Sequence, residues 1–458
     1  MKTVTLGALC RIIRGKWVRG VPERPVTSVN FGKIRHLKSH QVYFYTRQAD
    51  WSKQLGIIRK VGPLAVVLPE HFPSHGIPAQ TGLIRVHDAY AAFWKVAKWS
   101  WKKSPARVIG ITGSSGKSTT TAMAASILKY RWPMVKTEGN LNTFSFLPTY
   151  LTRLKPHHKL LLLEMGMKSL NNIARQCRIV RPNVGVVTNV GEAHAGSLGG
   201  LNQVVRAKQE IVNGIRPGGI LFLNADDARS RRLNTSRFNG KIRTFGIKNR
   251  ADLIADNIHF TSRGMRFNVR IGSTSFPVII PVFGVHNVYN ALAAIGIART
   301  FGAKVEEIQK GLATFQPPKM RLQFIQTKSG RLLINDAWNA NPASMTAGLD
   351  VLKHLPSNRP KIAVLGDMLE LGSYTRTAHE SIGKHVVGTG LDQLVTIGKN
   401  GRLIALAAVA RGMNPRKVSS FYSYHALVRH LLTTPKNAIL YFKASRSLHL
   451  EKVVQNLK

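Results

Sequence analysis

The sequence predicts an α/β protein built on mostly parallel, doubly wound sheets. Three observations carry that expectation. From Arg107 onward, short apolar runs alternate with segments of helical period. A glycine-rich turn, Gly113 to Gly116, joins one such run to a helical segment. Polar side chains cluster directly after apolar runs, where open parallel sheets place their ligand sites. At 458 residues and 44% hydrophobic, the chain can bury ordinary cores in roughly two to four domains.

In chain order, QVYFYT and PLAVVLPE read as short strands among turns, followed by a helix in AYAAFWKVAKWSWKK that ends at Ser104-Pro105. RVIGIT is a strand leading into the helix SGKSTTTAMAASILKY. KLLLLEMG and VGVVTNVG are strands, LNQVVRAKQEIVNGI a helix and GGILFLN a strand. Residues 240–283 are polar and strand-rich, HNVYNALAAIGIARTFG is a helix, and Gln316-Pro317-Pro318-Lys319 reads as a linker. RLLINDAW, KIAVLGDM, DQLVTIG and AILYFKAS then alternate with helical segments as a second doubly wound sheet. The expected domains are 1–105, 106–316 and 317–458.

Composition removes several function classes. Two cysteines, Cys10 and Cys177, are too few for a disulfide framework or a thiolate metal site. Charges interrupt the apolar residues of MKTVTLGALCRIIRGKW, so no secretory leader is expected there, and no later run is apolar and long enough to span a bilayer. A cytoplasmic monomer is the expectation. The 67 Lys+Arg against 21 Asp+Glu give a net charge of +46. That excess attracts polyanions, but it is spread along the chain. It therefore reads as a property of the whole surface, with no specific nucleic-acid site and room for loose association with an anionic membrane face.

The stretch IGITGSSGKSTT is a phosphate cradle. Glycines Gly113 and Gly116 allow close backbone approach, the N–H groups around Ser114, Ser115 and Thr119 attract anions, and Lys117 adds a point charge. It falls short of the common G-x-x-x-x-G-K-[ST] spacing, because Gly113 stands three residues before Gly116. Ser118 offers a hydroxyl and Glu164, at the end of the LLLL run, a carboxylate for a magnesium ion. His194 in NVGEAHAG follows in order. By spacing alone, Lys208 in VVRAKQEIV is a solvated helix lysine. INDAWNANPASM gathers Asp336, Asn339, Asn341 and Ser344 at a sheet edge.

With these residues stand LLLEMGM, VVTNVGEAH, AKQEI, LNADD, GVHNVYNALAA, LGDMLELG and FKASRS. Over residues 106–458 this ordered series resembles the motifs of the Mur ligase family. The resemblance implies three domains: a precursor-binding N-terminal module, a central P-loop ATPase domain and a Rossmann-like C-terminal domain. It implies that Lys117 and its loop hold the phosphates of ATP, that Ser118, Glu164 and His194 organise Mg²⁺, and that Lys208 is carbamylated to bridge a second ion. Asn287 and Asn290 resemble adenine-side residues, while Arg321 and Asp336 match positions that reach the γ-phosphate and ribose. Asn339, Asn341 and Arg446 are the candidates for receiving the incoming amine. The implied activity is amide-bond formation through an acyl phosphate. The similar branch of the family adds D-alanyl-D-alanine to UDP-N-acetylmuramoyl-tripeptide in cell-wall synthesis.

The match is uneven. The D-S-R turn and D-G-H element usual in the N-terminal module are missing from VTSVNFGKIRHLKSHQVYFYTRQADWSKQLG, leaving the Lys and Arg of residues 33–60 as candidates to hold uridine. TEGNLNTFSFLP keeps Thr137, Gly139, Asn140, Asn142 and Pro148 of a substrate-side motif but has Thr143 and Phe146 where Asn and Gly are usual. Two other readings stay open: a paralogue joining a different acid and amine, and a nucleotide-binding protein without catalysis.

Overall fold

The computed structural model describes residues 1–32, 34–47, 50–355 and 357–458, so Lys33 of the candidate uridine-side group lies outside the described residues. The chain divides into two compact units. One holds residues 1–108, 132–163 and 178–181; the other holds 109–131, 164–177 and 182–458.

The first unit is organised by a five-stranded sheet in the order Lys16–Arg19, Gly82–Val86, Ala65–Pro69, Val42–Phe44 and Val29–Phe31. Only its first pair is antiparallel. Val42–Phe44 and residues 65–68 are buried on both faces, which is why these strands read as unbroken apolar runs. The helix Ala89–Lys102 starts where the Asp88 carboxylate accepts the Ala91 N–H at 2.6 Å. Its Ala89, Ala92, Phe93, Val96 and Ala97 recur at helical period and are buried. In the same unit Met134–Lys136 runs parallel to Leu160–Glu164, whose last residue carries the chain into the second unit.

The second unit contains two sheets. In the first, Arg107–Thr112, Val184–Val187, Gly219–Asn224, Gly240–Gly246 and the start of Leu253–Thr261 run parallel, and Gly264–Ile271 and Thr274–Ile280 extend the sheet antiparallel. The polar 240–283 section thus becomes an edge extension with one wetted face. The second sheet has the order Gln323–Gln326, Leu332–Asn335, Ile439–Lys443, Lys361–Gly366, Gln393–Ile397 and Val418–Phe421, antiparallel only at the first pair. Its four central strands are those expected; the two edge strands are short and partly exposed, and they escape a reading based on buried runs. The helices Lys117–Leu128 and Val285–Thr300 pack together, and the latter is buried nearly all round. The α/β class therefore holds. Among the described residues no helix is long and apolar enough to cross a membrane.

Candidate active site

The site starts at the C-terminal end of strand Arg107–Thr112. Gly113 has φ 150° and Gly116 φ 82°, conformations that side chains resist. Space is equally restrictive: a Cβ on Gly113 would overlap the Thr188 hydroxyl, and one on Gly116 the Asn290 amide oxygen. The turn is braced from the next strand's end. Asn189 Oδ1 accepts the Ser115 N–H at 2.9 Å, its amide donates to Ser115 Oγ at 2.9 Å, and the Gly191 N–H donates to Ser114 Oγ at 2.8 Å. Helix Lys117–Leu128 begins at Gly116 with no side-chain cap, so its first-turn N–H groups form an anion-attracting end.

Charged groups converge on that end. Ser118 Oγ donates to Glu164 Oε2 at 2.8 Å, and Arg321 Nη2 donates to Ser118 Oγ at 3.2 Å. Lys117 Nζ donates to Gly113 O at 2.6 Å. Burial lowers the Lys117 pKa, Glu164 opposes that and Arg321 adds to it. Arg321 is set in place by neighbours of left-handed backbone, Met320 at φ 57° and Leu322 at φ 46°, a strain that persists because the surroundings fix it. The Leu322 N–H donates to Asp336 Oδ1 at 3.1 Å.

Lys208 is not the solvated helix lysine its spacing suggests. It is 1% exposed, with Nζ donating to Thr112 Oγ1 at 3.1 Å and lying 3.6 Å from Met167 Sδ. Helix Leu201–Gly214 turns Val204, Ala207, Lys208 and Ile211 inward together, so the lysine occupies a core position of an amphipathic helix. Burial, then the Lys117 charge, press its pKa well below the usual lysine value, against Glu210 and Glu164.

A recess of about 400 Å³ opens beside the turn, lined by Ser114–Gly116, Thr119, Asn189, Asn224, Phe245, Asn287, Asn290, Arg321 and Asp336 among others. Asn290 donates to Asn287 Oδ1 at 3.0 Å and Asn287 donates to Phe283 O, while Asn290 Oδ1 accepts from the Thr120 hydroxyl at 3.3 Å, so Asn290 ties helix Val285–Thr300 to helix Lys117–Leu128. Asp336 is enclosed: its Oδ2 accepts Lys443 Nζ at 2.5 Å and Tyr441 OH at 3.1 Å. A second recess of about 310 Å³ is lined by His194, Asn339, Asn341, Leu369, Glu370 and Arg446, with neighbours. There Asn341 Oδ1 is already accepting the Ser344 N–H as the cap of helix Pro342–His354, and Arg446 is paired with Glu451 at 2.7 Å. The Nδ1–H of His194 donates to Glu370 at 2.7 Å. Thr137, Asn140 and Asn142 belong to the first unit, where Tyr150 OH organises the 138–141 turn through the Glu138 N–H and Leu141 O.

The sequence motifs contained further participants that spacing did not single out: Lys443 against Asp336, Glu370 against His194, and Asp226. Asp226 accepts the N–H groups of Ile247, Lys248 and Asn249 and the Tyr289 hydroxyl. The scarcity of acids was the available signal, since these carboxylates fall within motif stretches of a chain that has few.

The Mur ligase middle domain matches residues 111–298, and the Mur ligase glutamate ligase domain matches residues 320–446. The chain belongs to the Mur ligase family. This Mur ligase is 31% identical over 457 residues to the UDP-N-acetylmuramoyl-tripeptide–D-alanyl-D-alanine ligase of Bacillus subtilis (strain 168), covering 99% of the chain and 98% of the relative. It is 35% identical over 379 residues to the ligase of the same name from Escherichia coli (strain K12), covering 81% of each. The structure of MurF from Acinetobacter baumannii superposes with a TM-score of 0.84 at 29% identity, covering 99% of this Mur ligase and 98% of that chain.

Proposed function

We infer that this Mur ligase uses ATP to join D-alanyl-D-alanine to a UDP-N-acetylmuramoyl-tripeptide in peptidoglycan precursor synthesis. The observation that carries this reading is the likeness of the whole chain, N-terminal residues included, to the Bacillus subtilis ligase. That alignment takes in residues on the N-terminal side of the phosphate loop as well as those around and after it. The reading assigns residues 1–105 to the precursor, 106–316 to ATP and 317–458 to closing the nucleotide site and receiving the amine.

A carboxylate is a poor acyl donor. Transfer of the γ-phosphoryl group makes it an acyl phosphate; the amine then forms the C–N bond as the C–O bond to phosphate breaks and the amine loses a proton. No nucleophilic Ser or Cys is needed, and positioning with charge neutralisation carries the rate. Lys117 and the N–H groups of residues 113–119 hold the triphosphate, and Arg321, bonded to Ser118, faces the same end. Asn287 and Asn290 shape the base side, with Asp336 beside the ribose. Arg446 and Asn339 line the amine recess, with Asn341 holding its wall as a helix cap; Thr137, Asn140 and Asn142 serve the acid.

The donor chemistry suits a magnesium ion: the Glu164 carboxylate and Ser118 hydroxyl are hard oxygen ligands already 2.8 Å apart. Among the described residues no three His, Cys, Asp or Glu side chains form a metal cluster; the remaining ligands would come from His194, phosphate and water, while Lys208, once carbamylated, would offer oxygens to a second ion. His194 would join through Nε2 while Glu370 holds Nδ1. A bound Mg²⁺ supplies neutralisation of phosphate charge.

The test supplies ATP, Mg²⁺ and D-alanyl-D-alanine with either UDP-N-acetylmuramoyl-tripeptide or the same peptide lacking UDP. Phosphate release and a new amide from the UDP form at low concentration are expected. Equal use of both would remove uridine from the recognition. Failure of both, while another acid and amine react, would reject the cell-wall reading and keep the ligase chemistry.

A further inference from the structure

We infer that His379 is a positioning residue for the amine side of the reaction, shaping loop 367–372 so that Leu369 and Glu370 wall the recess beside His194. The role of the recess rests on the proposed function; the geometry of the loop does not.

His379 lies on helix Thr375–Val387 and is completely buried. Its Nδ1–H donates to Thr375 O at 2.6 Å, and its Nε2 accepts the Met368 N–H at 2.9 Å. A neutral ring with its proton on Nδ1 satisfies both bonds, and burial favours that neutral form by lowering the pKa. Without the Nε2 acceptor the Met368 N–H, next to a fully buried side chain, would be left unpaired, a cost the loop relieves only by moving.

What the loop holds makes that movement matter. The Leu369 N–H donates to Ser445 Oγ at 2.8 Å, and the Ser445 N–H returns to Asp367 O at 3.0 Å. One residue on, Glu370 grips the 194–196 segment twice: its carboxylate takes His194 Nδ1–H, and its carbonyl accepts the Gly196 N–H at 3.0 Å. Gly372, at φ 59°, lies so close that an added Cβ would stand 2.7 Å from Gly196 Cα. The imidazole therefore sits behind a short hydrogen-bonded stretch that gives Leu369 and Glu370 to the recess, whose lining also takes Asn339 and Arg446 from the segments that follow strands Leu332–Asn335 and Ile439–Lys443 of one sheet. His379 touches no recess space itself, and sequence spacing gives it no role.

Two variants separate its two bonds. In His379→Gln the side-chain amide reaches as far as Nε2 and can still accept from Met368; in His379→Asn it reaches only as far as Nδ1. We measure KM for D-alanyl-D-alanine and for ATP, together with hydrogen exchange at the Met368 and Leu369 amides. Expected for His379→Asn are a rise of about tenfold or more in dipeptide KM, an unchanged ATP KM and faster exchange at both amides. His379→Gln should stay near wild type. An unchanged dipeptide KM in a folded His379→Asn, or equal losses toward both substrates in the two variants, would overturn the inference. If His379→Asn does not fold, a raised dipeptide KM in His379→Gln with Met368 still protected overturns it instead. Wild-type enzyme inactive with the dipeptide rejects the proposed function; the exchange data then decide separately, and unchanged Met368 exchange in His379→Asn sinks the role of His379.

Discussion

Lys117 and Lys208 carry the same group, yet the site places them in different roles. Lys117 stands at a helix end with Glu164 nearby, so its charge is useful toward phosphate. Lys117→Ala should cut ligation by on the order of 10²–10³-fold while melting within about 2 °C of wild type, because it removes a charge facing ligand and leaves the core intact. Turnover at the wild-type rate in a folded sample would reject the phosphate-loop assignment. Lys208 is enclosed by Thr112 and Met167, and burial, then the Lys117 charge, lower its pKa. A lysine whose folded pKa is depressed binds fewer protons folded than unfolded, so folding stability rises with pH up to its ordinary value of 10.5. Lys208→Met should therefore flatten the rise in urea midpoint as pH climbs toward that value. Ligation should disappear in that variant, and in Lys208→Ala a short added carboxylate should restore part of it by replacing the carbamate oxygens. Full unaided activity would return Lys208 to the status of an ordinary core residue. Its depth was the part the local sequence concealed: VVRAKQEIV marks a helix, but only packing reveals which face the lysine takes.

Loops, more than strands, decide what the site can do, and they were the less legible elements. The buried runs ending in Glu164 and Thr112 announce themselves, since strands covered on both faces need unbroken apolar residues. The bracing of the phosphate turn by Thr188 and Asn189 does not, because it depends on two strands being neighbours in the sheet. Nor does the left-handed pair around Arg321, which no glycine marks. Gly113→Ala tests the turn as an element: the methyl would overlap Thr188 Oγ1 at an unfavourable φ, costing about 1–3 kcal/mol and weakening nucleotide binding together with stability. Equal melting and binding would show that the turn relaxes freely. Asp226 offers a pH test. Burial raises its pKa, but the N–H groups of Ile247, Lys248 and Asn249 and the Tyr289 hydroxyl outweigh this and bring it down to about 2. Its contribution is complete above the usual carboxylate range and is lost as pH falls through about 2. Asp226→Asn should flatten the acid limb of the stability curve there; an unchanged limb would mean that other carboxylates set it.

At the scale of the whole molecule the unusual quantity is still the charge of +46. The few acids are largely committed: Glu164 and Asp336 to the site, Asp226 to the 247–249 loop, Asp252 to strand Gly240–Gly246, Glu210 to the first turn of helix Asn172–Val180, and Glu370 to His194. Few remain to neutralise 67 Lys and Arg, so the surface repels itself as well as attracting anions. Two consequences can be measured on one sample. Raising ionic strength from about 10 mM to about 150 mM shortens the Debye length from roughly 30 Å to 8 Å, and relief of self-repulsion should raise the melting temperature over that range. In the same series, affinity for random duplex DNA should fall linearly on a log–log plot, as release of condensed counterions requires, and vanish near 150 mM. The two curves are linked by their cause: a diffuse surface charge gives stabilisation by salt and binding lost to salt with no preference among polyanions. Tight DNA binding at 150 mM, protected from salt by contacts beyond phosphate charge, would break that link and give the basic surface a specific nucleic-acid role alongside ligation.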